Sequence, residues 1–533
     1  MPQDYLLPPR QMIRTCRNHP YMLKLADSTG KELNGIDTLV NTMVVRRLLR
    51  KILAPSEQQV GLLFPGSVYG MIVNAAITMD RRVAVNLNYT FSNDTLNYCI
   101  KKAEIKHIIT TKRFLERFPD LKLDAELVVL EDRVKQVSLF DKLCGWFEAK
   151  IMPLPILEWK LGLTKIRQDD PIAIIFTSGS TGTPKGVCLS HRNIAANTEG
   201  FKEHLRLVEN DRILGILPFF HSFGYATNIW IILVGPYGGI LHFNPLDPKK
   251  VGEMARKYAP SILTSTATFQ RNYLRRCPKE DFEKVTTVIC GAEKVSLNLM
   301  EAWQEKFGNM LVEGYGTTEL SPVVSTNIDN TRRSDYADWL RPGTVGRPLP
   351  NVQVRVVDLD DGSVLPPNTS GMLQVKGDNV MLGYYKEPEK TAEVLKDGWY
   401  TTGDVAKVDE DGFIWITGRE SRMSKIGGEM VPHILIEEMI DRIVRAELPD
   451  EEEGGVLVAV VGLPDEKKGE KVVVLHRPLP ISPDEICKKM QVEGLPNLWI
   501  PLPQHFHPVE SIPILGTGKL DLRGIKETAK QFQ

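Results

Sequence analysis

Hydroxyls at Thr177, Ser178, Ser180 and Thr181, glycines at Gly179 and Gly182 and the cation of Lys185 fall in one run, Phe176-Thr-Ser-Gly-Ser-Thr-Gly-Thr-Pro-Lys-Gly186, directly after the apolar segment Pro171-Ile-Ala-Ile-Ile175. A loop of this composition leaving a buried strand can offer backbone N–H groups, O–H groups and an ammonium to phosphate oxygens. Lys185 is followed by Gly186 and Val187, which excludes a Walker loop, where Ser or Thr must follow the lysine to bind Mg²⁺. A plain Gly/Ser turn is the competing reading.

Four further runs carry chemistry downstream. In Glu313-Gly-Tyr-Gly-Thr-Thr-Glu319, Tyr315 offers a flat face for a base, Thr318 a hydroxyl for phosphate and Glu319 a hard oxygen for Mg²⁺. Gly398-Trp-Tyr-Thr-Thr-Gly-Asp404 ends in an acid suited to ribose hydroxyls. Gly418-Arg419 is followed by Lys425-Ile-Gly-Gly428, and Leu515-Gly-Thr-Gly-Lys519 sets a lysine on a glycine-flanked turn. Each alone has a bland reading, as a tight turn or a solvated charge. His221, in Pro218-Phe-Phe-His-Ser-Phe-Gly224, reads on its own as a satisfied core histidine.

These runs need elements to position them. Apolar strand-like segments at Gln59–Phe64, His107–Thr110, Leu127–Leu130, Ile213–Leu217, Ser261–Thr264 and Val285–Ile289 alternate with helical patterns, which predicts an α/β architecture of mixed or parallel sheets covered by helices on both faces. From about residue 343 the texture becomes alternating strands with turn signals, at Val352–Val357, Gly371–Val375 and Gly412–Ile416. A helix over Pro432–Glu447 and strands at Gly455–Val461 and Val472–Leu475 form a compact α+β tail. The expected division is 1–342, 343–420 as a β-rich subdomain of the same large N-terminal domain, and 421–533 as a small mobile C-terminal domain. Leu139–Ile151 predicts a helix stopped by Pro153 and Pro155, with Leu139, Leu143, Trp146, Phe147 and Lys150 on one face. The favoured reading of that stripe is a helix covering the core; peripheral membrane contact through 139–151 is the alternative.

Composition narrows the classes. A formal net charge of −1 over 533 residues gives no bulk electrostatic argument for nucleic acid. Seven cysteines without a C-x-x-C pair fit a reducing compartment and small core residues. The N-terminus lacks the pattern of a secretion signal, and no stretch approaches the roughly 20 apolar residues of a membrane span. A cytoplasmic location is expected, with possible association at the inner face of the membrane.

The order and content of the five runs resemble the adenylate-forming superfamily of acyl-CoA ligases, luciferases and adenylation domains, from about residue 30 to the end. Leu217-Pro-Phe-Phe-His-Ser-Phe-Gly224, Thr268-Phe-Gln-Arg-Asn-Tyr273, Gly291-Ala-Glu-Lys294, Lys425-Ile-Gly-Gly-Glu-Met-Val431, Leu498-Trp-Ile-Pro501 and Leu515-Gly-Thr-Gly-Lys-Leu-Asp521 resemble one branch, the acyl-acyl carrier protein synthetases, including the synthetase part of 2-acylglycerophosphoethanolamine acyltransferases. The resemblance implies ATP and Mg²⁺. A carboxylate attacks the α-phosphate to give acyl-adenylate and pyrophosphate, and a pantetheine thiol then displaces AMP.

By that resemblance, Thr177, Ser178, Gly179, Ser180, Thr181, Gly182 and Lys185 embrace the pyrophosphate. Gly291, Ala292 and Glu293 frame adenine with Tyr315, beside Gly316 and Thr317. Thr318 touches phosphate, Glu319 holds Mg²⁺, and Asp404 and Arg419 take the ribose. Lys519 brings the carboxylate and α-phosphate together, and His221 gates the thiol path. Ser421 falls at the hinge, where the family usually has Asp or Lys. Lys425, Gly427 and Gly428 line the thiol tunnel.

The apolar stretch Tyr225–Leu241 offers no Asp for a substrate amine, so a fatty acid is the expected substrate. The expected acceptor is the thiol of acyl carrier protein, with Arg442, Arg445, Lys488 and Lys489 as a candidate docking patch. Free CoA, in a fatty acyl-CoA ligase, is the alternative. A catalytically inactive nucleotide-binding protein is the reading from another class. His242-Phe-Asn-Pro-Leu-Asp247 matches an acyltransferase H-x-x-x-x-D pair but is read as coincidence without an acyltransferase domain around it.

Overall fold

Short strands buried on both faces build two large sheets. The computed structural model describes residues 4–177, 183–419, 422–426, 429–447, 456–465, 469–514 and 520–532. Val83–Asn86, Gly238–Leu241, Ile262–Ser265 and Thr287–Cys290 are buried at every position, as parallel strands covered by helices must be. The first sheet has seven strands: Gly383–Tyr384, Lys185–Ser190, Pro171–Thr177, Val83–Asn86, Gln59–Leu62, His107–Thr110 and Glu126–Val129. Its last five run parallel and its first two antiparallel. The second sheet has nine strands, with a parallel centre from Met310–Gly316 through Thr287–Cys290, Ile262–Ser265, Arg212–Gly215 and Gly238–Leu241 to Leu23–Asp27.

The α/β architecture expected from the alternating pattern is therefore present, with strand limits in these two sheets within two residues of those read in the sequence and unshifted at His107–Thr110. The β-rich part is a separate antiparallel sheet of Val352–Val357, Gly371–Gly377, Leu395–Lys396, Trp399–Val408 and Ile414–Arg419. Beyond it, Met423–Ile426, Glu429–Pro432, Val458–Asp465, Gly469–His476 and Phe506–Pro508 form a fourth sheet, flanked by helices His433–Arg445, Pro483–Val492 and Leu522–Lys530.

Core packing divides at the same place. One large apolar cluster runs from Met12 to Ile414 and joins both large sheets to the antiparallel one. Two other clusters, from Ile426 to Phe506 and from Ala459 to Ala529, draw only on residues after 425. Five of the seven cysteines are buried and all are free, in keeping with small core residues.

One sequence expectation fails around residue 150 and another is extended. Helix Leu139–Lys150 forms, with Ser138 and Asp141 making a reciprocal capping box. Its apolar stripe does not cover the core: Leu139, Leu143, Trp146 and Phe147 are exposed. Pro153 and Pro155 do not merely stop it, because a second helix, Leu154–Leu161, starts there, using proline where an initial N–H has no helical partner anyway.

Candidate functional site

The strands on either side of the glycine-rich run pair with each other. Pro171–Thr177 and Lys185–Ser190 pair antiparallel, with Thr177 opposite Lys185 and Phe176 opposite Gly186. Ser178, Gly179, Ser180, Thr181 and Gly182 lie outside the described residues, as do Ser421, Gly427, Gly428 and Lys519. Lys185 is fixed by its register, and its Nζ lies 4.8 Å from the centroid of the Tyr384 ring. Tyr384 belongs to the strand that closes this sheet and pairs with Val187, and its hydroxyl donates to Glu319 Oε1 at 2.9 Å. Burial, then the Glu319 carboxylate, push the Tyr384 hydroxyl well above its ordinary range, so it remains a donor. The backbone N–H of Met381 donates to the carbonyl of Glu319 at 2.8 Å.

Strand Met310–Gly316 and the 3₁₀ turn Thr318–Leu320 carry the centre of the site. Tyr315 donates its hydroxyl to Asp404 Oδ2 at 2.6 Å, and Arg419 Nε donates to Asp404 Oδ1 at 2.6 Å. Asp404 is buried, and it stands opposite Arg419 in the pairing of Trp399–Val408 with Ile414–Arg419. Burial and then the Asp404 charge raise the Tyr315 hydroxyl well above its usual range. Thr402 Oγ1 accepts the Asp404 N–H at 3.0 Å, fixing the turn before the acid. Gly316 admits no side chain, since a Cβ there would stand 1.9 Å from the Pro322 carbonyl oxygen.

Thr318 Oγ1 lies 3.1 Å from Ser222 Oγ, which brings this turn to the segment holding His221. His221 caps the short helix Ser222–Tyr225, and its ring lies 5.1 Å from that of Phe220. Phe223 packs under the next loop: a Cβ on Gly291 would meet Phe223 Cε1 at 3.0 Å. Ala292 takes a left-handed backbone, φ +67°. Glu293 accepts from Thr268 N–H and Oγ1 at 2.9 and 2.8 Å, and the Gly291 N–H donates to the Ser265 carbonyl at 3.1 Å, so both ends of the loop are pinned.

The hairpin, the strand ending at Gly316 and the Asp404–Arg419 pair thus converge through shared neighbours. Lys425 does not join them: its Nζ lies 3.3 Å from Asp360 Oδ1, in a turn of the antiparallel sheet.

The polar groups present fit a nucleotide with a hard cation. Thr317 Oγ1 is buried with no hydrogen-bond partner among the described residues. Glu319 uses one carboxylate oxygen on Tyr384, and no cluster of three His, Cys, Asp or Glu occurs among the described residues. A cation here would draw one protein oxygen and complete its shell from water and phosphate, the usual pattern for Mg²⁺ with a nucleotide.

Several participants were not singled out in the sequence. Ser222, Phe223 and Thr402 lie inside the runs but carry no role there, and Tyr384 lies outside all of them. Glu313 opens the run that holds Tyr315, yet is buried, accepts the Val295 N–H at 2.8 Å and leaves Oε2 without a partner among the described residues. Burial pushes its carboxyl up to about 7.

The apolar stretch Tyr225–Leu241 contains a buried amide. Asn228 accepts from Thr227 and Thr264 at 3.1 Å and donates to the Leu217 carbonyl at 3.0 Å, so its polarity is satisfied internally. It lies in a π-helical segment, Ala226–Ile231, a form that recurs at functional sites. Asp247 caps helix Pro248–Tyr258 by accepting the Lys250 N–H, which leaves the H-x-x-x-x-D match with a structural explanation.

The AMP-binding enzyme family profile matches residues 45–385. The long-chain-fatty-acid–CoA ligase of Bacillus subtilis is 28% identical over 475 residues, 83% of this chain and 82% of that one. That of Salmonella typhimurium is 32% identical over 373 residues, 68% of this chain and 62% of its own length. Among solved structures, ATP-bound MatB from Rhodopseudomonas palustris superposes with a TM-score of 0.81 at 25% identity, covering 98% of this chain and all of that one. Bacillus subtilis MenE with its acyl-adenylate intermediate gives 0.80 at 20% identity, covering 98% and 99%, and shares the fold.

Proposed function

This chain belongs to the AMP-binding enzyme family, the adenylate-forming superfamily, and from that premise we propose that it activates a fatty acid with ATP and transfers the acyl group to the thiol of CoA. The observation that carries the reading is the convergence of Lys185, Glu319, Tyr315, Asp404 and Arg419 around one strand end. Lys185, with the hydroxyls of the glycine-rich run, holds the leaving pyrophosphate. Tyr315 and the backbone of 291–293 frame the base, Thr317 and Thr318 reach phosphate, and Asp404 with Arg419 binds the ribose. Glu319 would hold Mg²⁺, which when bound would neutralise phosphate charge. Lys519 draws the carboxylate and the α-phosphate together, a step that needs a positioned cation because both reactants are anions. The carboxylate oxygen bonds to the α-phosphorus as pyrophosphate leaves; the thiolate sulfur then bonds to the acyl carbon as AMP leaves. His221 stands where the thiol must pass, and Ser421 marks the hinge before Lys425, Gly427 and Gly428.

CoA is placed ahead of acyl carrier protein as acceptor. The long-chain ligases that resemble this chain are named as CoA ligases, and the candidate basic docking patch is largely neutralised. Arg442 pairs with Glu493, Arg445 with Asp441 and Lys489 with Glu447.

The test offers a long-chain fatty acid and ATP with either CoA or holo acyl carrier protein. Thioester with CoA is expected. Thioester with carrier protein alone would reverse the choice of acceptor, and absence of acid-dependent pyrophosphate exchange would make the chain an inactive nucleotide binder.

A further inference from the structure

Helix Leu139–Lys150 presents its apolar face to solvent and its acids to the protein. Leu139, Phe140, Leu143, Trp146 and Phe147 are exposed, Leu139 at 72% and Phe140 at 68%, while Asp141, Gly145, Glu148 and Ala149 are buried. The inward side is fixed by charge and close approach. Lys51 and Arg47 bind Asp141, and Lys160 reaches Glu148 at 2.8 Å. Arg17 donates to the carbonyls of Glu148, Ala149 and Met152 at 2.6 to 2.8 Å. Gly145 lets Val44 in, whose Cγ2 stands 2.7 Å from where a Cβ would be. Rolling the helix to hide its apolar stripe would break all of these contacts.

Helix Leu154–Leu161 repeats the arrangement. Trp159 is 70% exposed and Ile156 is exposed, whereas Glu158 turns inward to Arg10 and Arg14 at 2.8 and 3.1 Å. Charge is sorted the same way: across residues 134–165 the acids are Asp141, Glu148 and Glu158, each buried and ion-paired, and the lysines at 135, 142, 150, 160 and 165 are all exposed.

An exposed apolar stripe of this kind marks an interaction site. Its composition points to lipid. Exposed tryptophans, phenylalanines and leucines alternating with lysines are the composition of helices that lie in the headgroup region, where lysine stems cover apolar surface and their ammonium groups reach phosphate. Protein interfaces, in contrast, are depleted in lysine at their centres. No helix among the described residues is long and apolar enough to cross a membrane, and helices of this composition meet a bilayer at its surface.

We propose that helices Leu139–Lys150 and Leu154–Leu161 dock the protein onto an anionic lipid bilayer, their outward apolar side chains entering the headgroup–acyl boundary and their lysines meeting phosphate headgroups. The inference is independent of which acid or thiol the site uses.

Flotation of the full chain with vesicles of phosphatidylcholine, alone or mixed with phosphatidylglycerol, tests it. Binding to the mixed vesicles is expected, and raised salt should weaken it. Phe140→Ser with Trp159→Ser, and separately Lys142→Glu with Lys150→Glu, should each lower the bound fraction about tenfold. Circular dichroism and vesicle-free pyrophosphate exchange should match the unaltered chain. Absence of flotation, or equal flotation of the variants, overturns the proposal. So does a two-copy mass in light scattering that falls to one copy in the serine variant without any vesicle binding, since a second copy would then cover the face.

Discussion

At the scale of single residues, Glu313 couples the loop after Cys290 to the central strand through a carboxyl that the fold prefers neutral. Unfolded, it titrates near 4.5; folded, burial raises it to about 7. Between these values the folded chain holds a proton that the unfolded chain has lost, so stability falls as pH rises through this window and stays low above it. The effect is on the order of 1–3 kcal/mol. Glu313→Gln keeps an acceptor for the Val295 N–H and cannot ionise. Its melting temperature relative to the parent should therefore rise between about pH 5 and about pH 8; a difference independent of pH would show that Glu313 does not titrate there. Lys519, proposed to act on the reacting anions, gives a kinetic prediction. Lys519→Ala should lower acid-dependent pyrophosphate exchange by roughly 10²- to 10³-fold while sparing thioester formation from supplied acyl-AMP. Equal losses in both assays would remove its assignment to the first step.

At the scale of elements, the turn before helix Ser222–Tyr225 shows how tightly a segment can be specified. A Cβ on Gly224 would lie 2.1 Å from the Pro218 carbonyl oxygen, so Gly224→Ala must push apart the turn that sets His221 beside Phe220. A stability loss of about 1–3 kcal/mol is expected, with lower overall thioester synthesis. Denaturant midpoints and steady-state rates measure the two, and unchanged values for both would show that the turn yields freely.

Elements also mark what sequence could and could not disclose. Strands such as His107–Thr110 and Val352–Val357 are found at their expected limits because a short apolar or alternating run has one favourable environment. The polarity of Leu139–Lys150 was hidden because a stripe fixes which residues share a face, not which face meets protein. That choice was made by Arg17, Arg47 and Lys51, contributed from far along the chain. The runs around Tyr315 and Asp404 were legible because their residue types fit nucleotide chemistry locally. Tyr384 was not, since its role depends on a strand pairing that brings it over Lys185 and Glu319.

At the scale of the whole molecule, the apolar clusters after residue 425 share no member with those before it. Contacts across the division include Lys294 with Glu438 at 2.8 Å and Lys425 with Asp360 at 3.3 Å, all exposed side chains. Pairs of this kind contribute less than about 1 kcal/mol each, which suits a proposed C-terminal unit that turns between two half-reactions. A chain ended after Arg419 should keep a cooperative thermal transition and nucleotide binding but lose pyrophosphate exchange, because Lys519 is gone. Calorimetry and exchange assays on that fragment decide the matter, and loss of the cooperative transition would show that the larger part depends on the smaller.

The pairing of Thr177 with Lys185 has a consequence for engineering. Lys185 takes its address from strand register and not from the residues between the two strands, so the hydroxyls proposed to grip pyrophosphate can be varied in that connection without moving the lysine. Substitutions there could retune pyrophosphate release while the lysine stays over Tyr384.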